Sequence, residues 1–167
     1  PDFFGKVCPV IITEVKVNSP DYREDVGEYV EIHNFGNRPV DIGAWRIVNG
    51  NDVDRIEDYQ NWRWDWGLPG TVIPPGGYAL IVDIFRNEGS PLSRSEEALV
   101  DDLLRDIVLN GDPEKVLVVR VDDDAIGNGL ANDQDQIVII TDWPEWEGDG
   151  YQRLRIGWNR ADNLGDC

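Results

Sequence analysis

Three tryptophans alternate in the stretch NWRWDWG, and they offer the plainest binding chemistry in the chain. An extended backbone puts Trp62, Trp64 and Trp66 on one face and Arg63 and Asp65 on the other. A row of exposed indoles can stack on sugar rings or on a partner's aromatic groups, since each has an apolar body and a polar edge. The competing fate is that the three fold back and cap the end of the core, which buries far more apolar area. Alternation alone leaves both fates open.

A second cluster is acidic. VDDDAIGNGLANDQD carries Asp122, Asp123, Asp124, Asn128, Asp133 and Asp135 close together. Calcium takes roughly six to eight oxygen ligands, and loops rich in Asp, Asn and Gly supply them. The EF-hand spacing is not matched, because Ala125 and Ile126 stand where ligands or flexibility are needed. A turn that holds no metal explains the same residues.

Two further sets invite enzymatic readings that the sequence does not support. Glu145 and Glu147 lie beside tryptophans in DWPEWEGDG, but the paired acids of glycosidases converge on the scissile bond from either side. Pro144, Gly148 and Gly150 mark this stretch as a turn. The only histidine, His33, lies in EYVEIHN, where Val30 and Ile32 alternate with Tyr29, Glu31 and His33. A strand of that pattern buries the two aliphatics and turns the polar row outward. No serine or cysteine stands in a recognisable nucleophile turn to partner His33. It reads as a surface residue of a scaffold.

The elements that would position these groups are mostly strands. Apolar alternation or short apolar runs mark 10–17, 28–34, 40–48, 71–73, 78–84, 116–121, 136–141 and 153–158. Gly36, Asn37 and Pro39 favour a reversal after the second, Gly43 marks a bulge or kink in the third, and PPGG precedes the fifth. Many short strands between such turns point to a β-sandwich. One helix is expected near residues 94–109: Ser93 with Glu96 fits a capping box, and Leu99, Leu103 and Ile107 form one stripe. It is read as covering an edge or open end of the sandwich.

Composition bounds the partners. A length of 167 residues suits one domain, 1–167, with elaborated loops. An apolar share of 41% argues against disorder. No apolar run is long enough for a membrane-spanning helix. With 33 acidic against 15 basic residues the formal net charge is −18, which repels nucleic acid and anionic membranes. Such a surface suits cations, or solubility in high salt, and only three of the basic residues are lysines. Cys8 and Cys167 bracket the whole domain, which points to a disulfide and an oxidising compartment; two free thiols are the alternative. A start at Pro1 with no methionine points to a processed chain or a trimmed one.

Taken in order, ITEV, GEYVEIHNFGNRPVDIGAWRI, TVIPPGGYALIVD and GNGLANDQDQIVIITD resemble the lamin tail domain family, in its prokaryotic secreted form. The likeness runs from about Val10 to Asp142. It implies an all-β, immunoglobulin-like sandwich and a non-catalytic extracellular module that associates with a protein or with a cell-surface or cell-wall component. It carries no family-wide catalytic residue onto this chain. Within the motif, Trp45 is expected in the core, Asn34 and Asp41 are expected to close turns with their side chains, and Leu130 is expected to pack inward. Residues 51–67 and 87–111 look like insertions into sandwich loops, where function tends to reside. The alternative expectation is a carbohydrate-binding module using Trp62, Trp64 and Trp66, with calcium ordering the acidic loop.

Overall fold

The computed structural model describes residues 9–17, 28–58, 68–82, 114–122, 126–127, 130, 135–142 and 151–158. Ten strands fall within them: β1 (Val10–Lys16), β2 (Tyr29–Asn34), β3 (Val40–Asp41), β4 (Arg46–Asn49), β5 (Asp52–Asp58), β6 (Val72–Ile73), β7 (Tyr78–Val82), β8 (Val116–Val121), β9 (Asp135–Asp142) and β10 (Tyr151–Trp158). The described residues contain no helix, and the one expected near 94–109 lies outside them. No helix among them is long and apolar enough to cross a membrane.

Eight strands form one mixed sheet in the order β1-β2-β7-β8-β5-β4-β9-β10, and β3 pairs with β6 in a small second sheet. All pairings are antiparallel except β7 with β8, which are parallel. The sheet curls upon itself. The hinge of that curl is β5, whose residues 52–55 pair with β4 while residues 56–58 pair with β8. Ile56 still bonds Trp45 and Ala44 on the β4 side, so the Arg55 N–H faces the other edge of β5 and donates to Asp122 Oδ1, just past β8, at 2.7 Å. The curl brings Cα atoms of β1 and β10 within 8 Å of one another.

This corrects two expectations drawn from the sequence. The first part of the segment read as an insertion, 51–67, is β5, a central strand whose Ile56 is buried in the core. DVDRIED shows no apolar alternation, because its inward row carries Asp54 beside Ile56 and its exposed row carries Val53. The strand expected over 40–48 is two strands, β3 and β4, separated by a turn. That turn is closed by Trp45 N donating to Ile42 O at 3.1 Å, and Ala44 takes a positive φ of 71° there. Gly43 is required for space: a Cβ on it would meet Thr71 Oγ1 at 2.8 Å.

One apolar core fills the inside of the curl. Val30 and Ile32 of β2, Ile47 of β4, Ile56 of β5, Ala79 and Ile81 of β7, Leu117 and Val119 of β8, and Ile137 and Ile139 of β9 all meet there, with Trp45 among them. Alternation delivers each of them to the same side. Leu80, Val82, Val116 and Val118 take the opposite faces of β7 and β8, outside that cluster, yet are buried as well. Burial on both faces is the habit of parallel strands, and it explains the unbroken apolar runs YALIV and VLVV.

Candidate interaction surface

The buried carboxylates are part of the fold. Asp54, 1% exposed on β5, accepts a hydrogen bond from Gly127 N through Oδ2. Glu28, 3% exposed just before β2, accepts from Leu130 N through Oε2 at 3.2 Å. With Asp122 on Arg55 N, these acids tie Asp122, Gly127 and Leu130 to the strands. The approach is close: Gly127 has φ 62°, and a Cβ there would lie 2.2 Å from Asn49 Cβ. Sequence reading missed Glu28 and Asp54, because nothing local marks an acid whose partner is an amide far along the chain.

The acidic cluster is only partly visible. Asp123, Asp124, Asn128 and Asp133 lie outside the described residues, and Asp135 opens β9. Among the described residues no three His, Cys, Asp or Glu side chains are grouped to hold a metal ion. Trp62, Trp64 and Trp66, with Cys8 and Cys167, also lie outside the described residues, as do Glu145 and Glu147.

The motif residues that are described serve the turns and the core. Asn34, fully buried, gives its side-chain amide to Arg38 O at 2.8 Å, Pro74 O at 3.1 Å and Ile73 O at 3.2 Å, and accepts from Gly36 N at 3.0 Å. Asp41 Oδ1 accepts from Gly43 N at 2.9 Å and from the Thr71 hydroxyl at 2.7 Å. Trp45 and Leu130 are buried in the core. Comparisons with protein-family models, with curated proteins and with solved structures found no match to this chain.

The outward face of β1, β2 and β7 is different in kind. Register sets Ile11, His33 and Tyr78 side by side across the three strands. The His33 and Tyr78 rings stack, with centroids 4.3 Å apart and planes 12° from parallel. Phe35, two residues beyond His33, tilts 56° to it at 6.5 Å. Ile11 is 41% exposed and Phe35 45%, so this aromatic cluster reaches solvent. Among the described residues, neither the His33 ring nitrogens nor the Tyr78 hydroxyl has a hydrogen-bond partner.

One step along the same face stand two acids. A bulge in β1 sets Glu14 opposite Glu31, and extra residues of this kind re-aim side chains locally. The Thr13 hydroxyl donates to Glu31 Oε1 at 2.6 Å, and the Tyr29 hydroxyl donates to Glu14 Oε1 at 2.8 Å. Like charges directly opposite destabilise a ladder, and the hydroxyl donors offset part of that cost. Neither carboxylate is paired with a cation among the described residues; Lys16 lies instead over the Tyr29 ring, 5.8 Å from its centroid. Tyr29 is 7% exposed, and its hydroxyl is held well above the ordinary tyrosine range. Burial is the main cause; the hydrogen bond to Glu14 and the charges of Glu14 and Glu31 add to it.

The sequence did place Glu31 and His33 outward. It did not show that Ile11, Phe35, Tyr78 and Glu14 join them, since that follows from register across three strands. The one available signal was the pair of aromatics bracketing the turn sequence, Phe35 before GNRP and Tyr78 after PPGG.

Proposed function

We propose that this chain is a non-catalytic, extracellular interaction module with an immunoglobulin-like β-sandwich of the lamin tail type, serving association with a protein or cell surface. One observation carries the reading. Asn34, Asp41, Trp45 and Leu130 of the resembling motif are each held in the core or in a turn, while the His33, Phe35 and Tyr78 rings of the same motif stand on the outer face and close neither. That division suits a scaffold presenting a surface. The net charge of −18 directs the module away from nucleic acid and other polyanions.

The test is co-sedimentation of the purified chain with washed cells, cell-wall preparations and insoluble polysaccharides, with Phe35→Ala alongside. Saturable binding that the variant weakens supports the module. Binding that survives in Phe35→Ala but vanishes when Trp62, Trp64 and Trp66 are all replaced by alanine moves the function to a carbohydrate platform. Turnover of an ester, phosphate or glycan substrate that disappears on a point substitution overturns the reading.

A further inference from the structure

The aromatic cluster and the two acids lie on adjacent rungs of β1 and β2, while Leu80, the β7 member of the second rung, is buried. Ile11, His33 and Tyr78 make one rung across β1, β2 and β7, and Glu14 and Glu31 stand on the next. Phe35 flanks the first rung at its open end. Together these residues combine exposed π-faces with carboxylates that lack a cation among the described residues. From this charge complementarity we infer that the face docks a basic, arginine-bearing segment of a partner protein.

The chemistry fits the guanidinium group. Its plane can lie on Phe35 or on the open edge of the His33–Tyr78 stack, as cations do over aromatic rings. Phe35 and Glu31 stand four residues apart along the chain, roughly 13 Å in extended backbone, so a second arginine of the segment gives its N–H donors to Glu31 and Glu14 as charge-assisted hydrogen bonds. The Tyr78 hydroxyl and the His33 nitrogens supply polar partners for the segment's backbone. A docked cation also relieves the repulsion between the two facing acids, so binding removes a cost already present in the free protein. A divalent metal is the poorer occupant, because two carboxylates from adjacent strands fall short of the ligand number calcium takes.

This inference rests on the interaction-module reading and names the partner chemistry for its surface. The probe is a fluorescein-labelled (Arg-Gly)6 peptide, followed by anisotropy at physiological salt, with (citrulline-Gly)6 as a neutral match. The arginine peptide is expected to bind and the citrulline peptide not. Phe35→Ala should weaken binding by about two- to fivefold, the size of an exposed cation–π contact. Glu14→Gln with Glu31→Gln should weaken it about tenfold or more, as expected for charge-assisted hydrogen bonds.

The control for bulk charge is Asp52→Asn with Asp58→Asn, which removes the same charge elsewhere on β5. If it weakens binding as much as the Glu14/Glu31 pair does, the attraction is diffuse and the proposal fails. It fails equally if the arginine peptide does not bind, or if Phe35→Ala leaves affinity unchanged in a protein that still melts cooperatively. Because Phe35 is 45% exposed, that variant is expected to fold. Loss of peptide binding with surface co-sedimentation intact overturns only this partner chemistry; loss of both overturns the module itself.

Discussion

Two sets of carboxylates in this protein carry opposite duties. Asp54 and Glu28 are buried, and each accepts a backbone N–H from a residue outside the strands, Gly127 and Leu130 respectively. Glu14 and Glu31 stand on the outer face and accept only hydroxyls. The inner acids hold the amides of Gly127 and Leu130, which belong to no strand, so each is a strut. The outer acids stabilise nothing comparable, and their proximity costs free energy. In a chain this acidic, residue type says little; what an acid does depends on whether an amide or solvent faces it.

The sharpest way to break the contrast is at the inner junction. Gly127→Ala should destabilise the fold by about 3 kcal/mol or more, through overpacking against Asn49 and a strained positive φ. A shift in the urea midpoint at constant slope would measure it. Asp54→Ala follows, at about 2–3 kcal/mol, since it leaves the buried Gly127 N–H without its acceptor. Asp54→Asn should recover part of that loss, because an amide oxygen still accepts. If both Asp54 variants melt like the parent, the inner acids are not struts.

Tyr29 links the two sets, being buried yet bonded to an outer acid. Its hydroxyl titrates well above the ordinary 10.0, so between the unfolded and folded values the native state holds a proton that the unfolded state has released. Stability is therefore fully present below about pH 10 and falls as pH rises beyond it. Tyr29→Phe should be about 1 kcal/mol less stable at neutral pH, from the lost hydrogen bond to Glu14. Its stability should then decline less steeply in alkali. Chemical denaturation at pH 8 and pH 11 compares the slopes, and equal slopes would show that Tyr29 does not carry the effect.

The smallest effect sharpens the contrast from the other side. Glu14→Gln with Glu31→Gln should change stability by no more than about 0.5 kcal/mol, and in the favourable direction, because the hydroxyl bonds survive and the repulsion goes. A loss as large as that of Asp54→Ala would make the outer acids structural too.

Much of this was legible beforehand. The inward faces of β2 and β9, the side-chain closure of turns by Asn34 and Asp41, and the core place of Trp45 were all readable from alternation and from local hydrogen bonding. The parallel pairing of β7 and β8 is less legible, and their unbroken apolar runs are its one local signal. β5 does not read as a strand in sequence, because Asp52, Asp54, Glu57 and Asp58 give it an acidic appearance, with Asp54 buried beside Ile56.

What the sequence determined by itself was local: strand periodicity, which reaches two residues, and turn chemistry, which reaches two to four. Asn34 Oδ1 meets Gly36 N, and Asp41 Oδ1 meets Gly43 N, because each pair is two residues apart. The tertiary structure alone decided the changeover of β5 between sheet halves, the 73-residue reach from Asp54 to Gly127, and the meeting of Ile11, His33 and Tyr78 on one rung. Those contacts depend on strand order and on a one-residue bulge in β1, and such register is set by how both faces of a strand find burial. No window of a few residues contains that information.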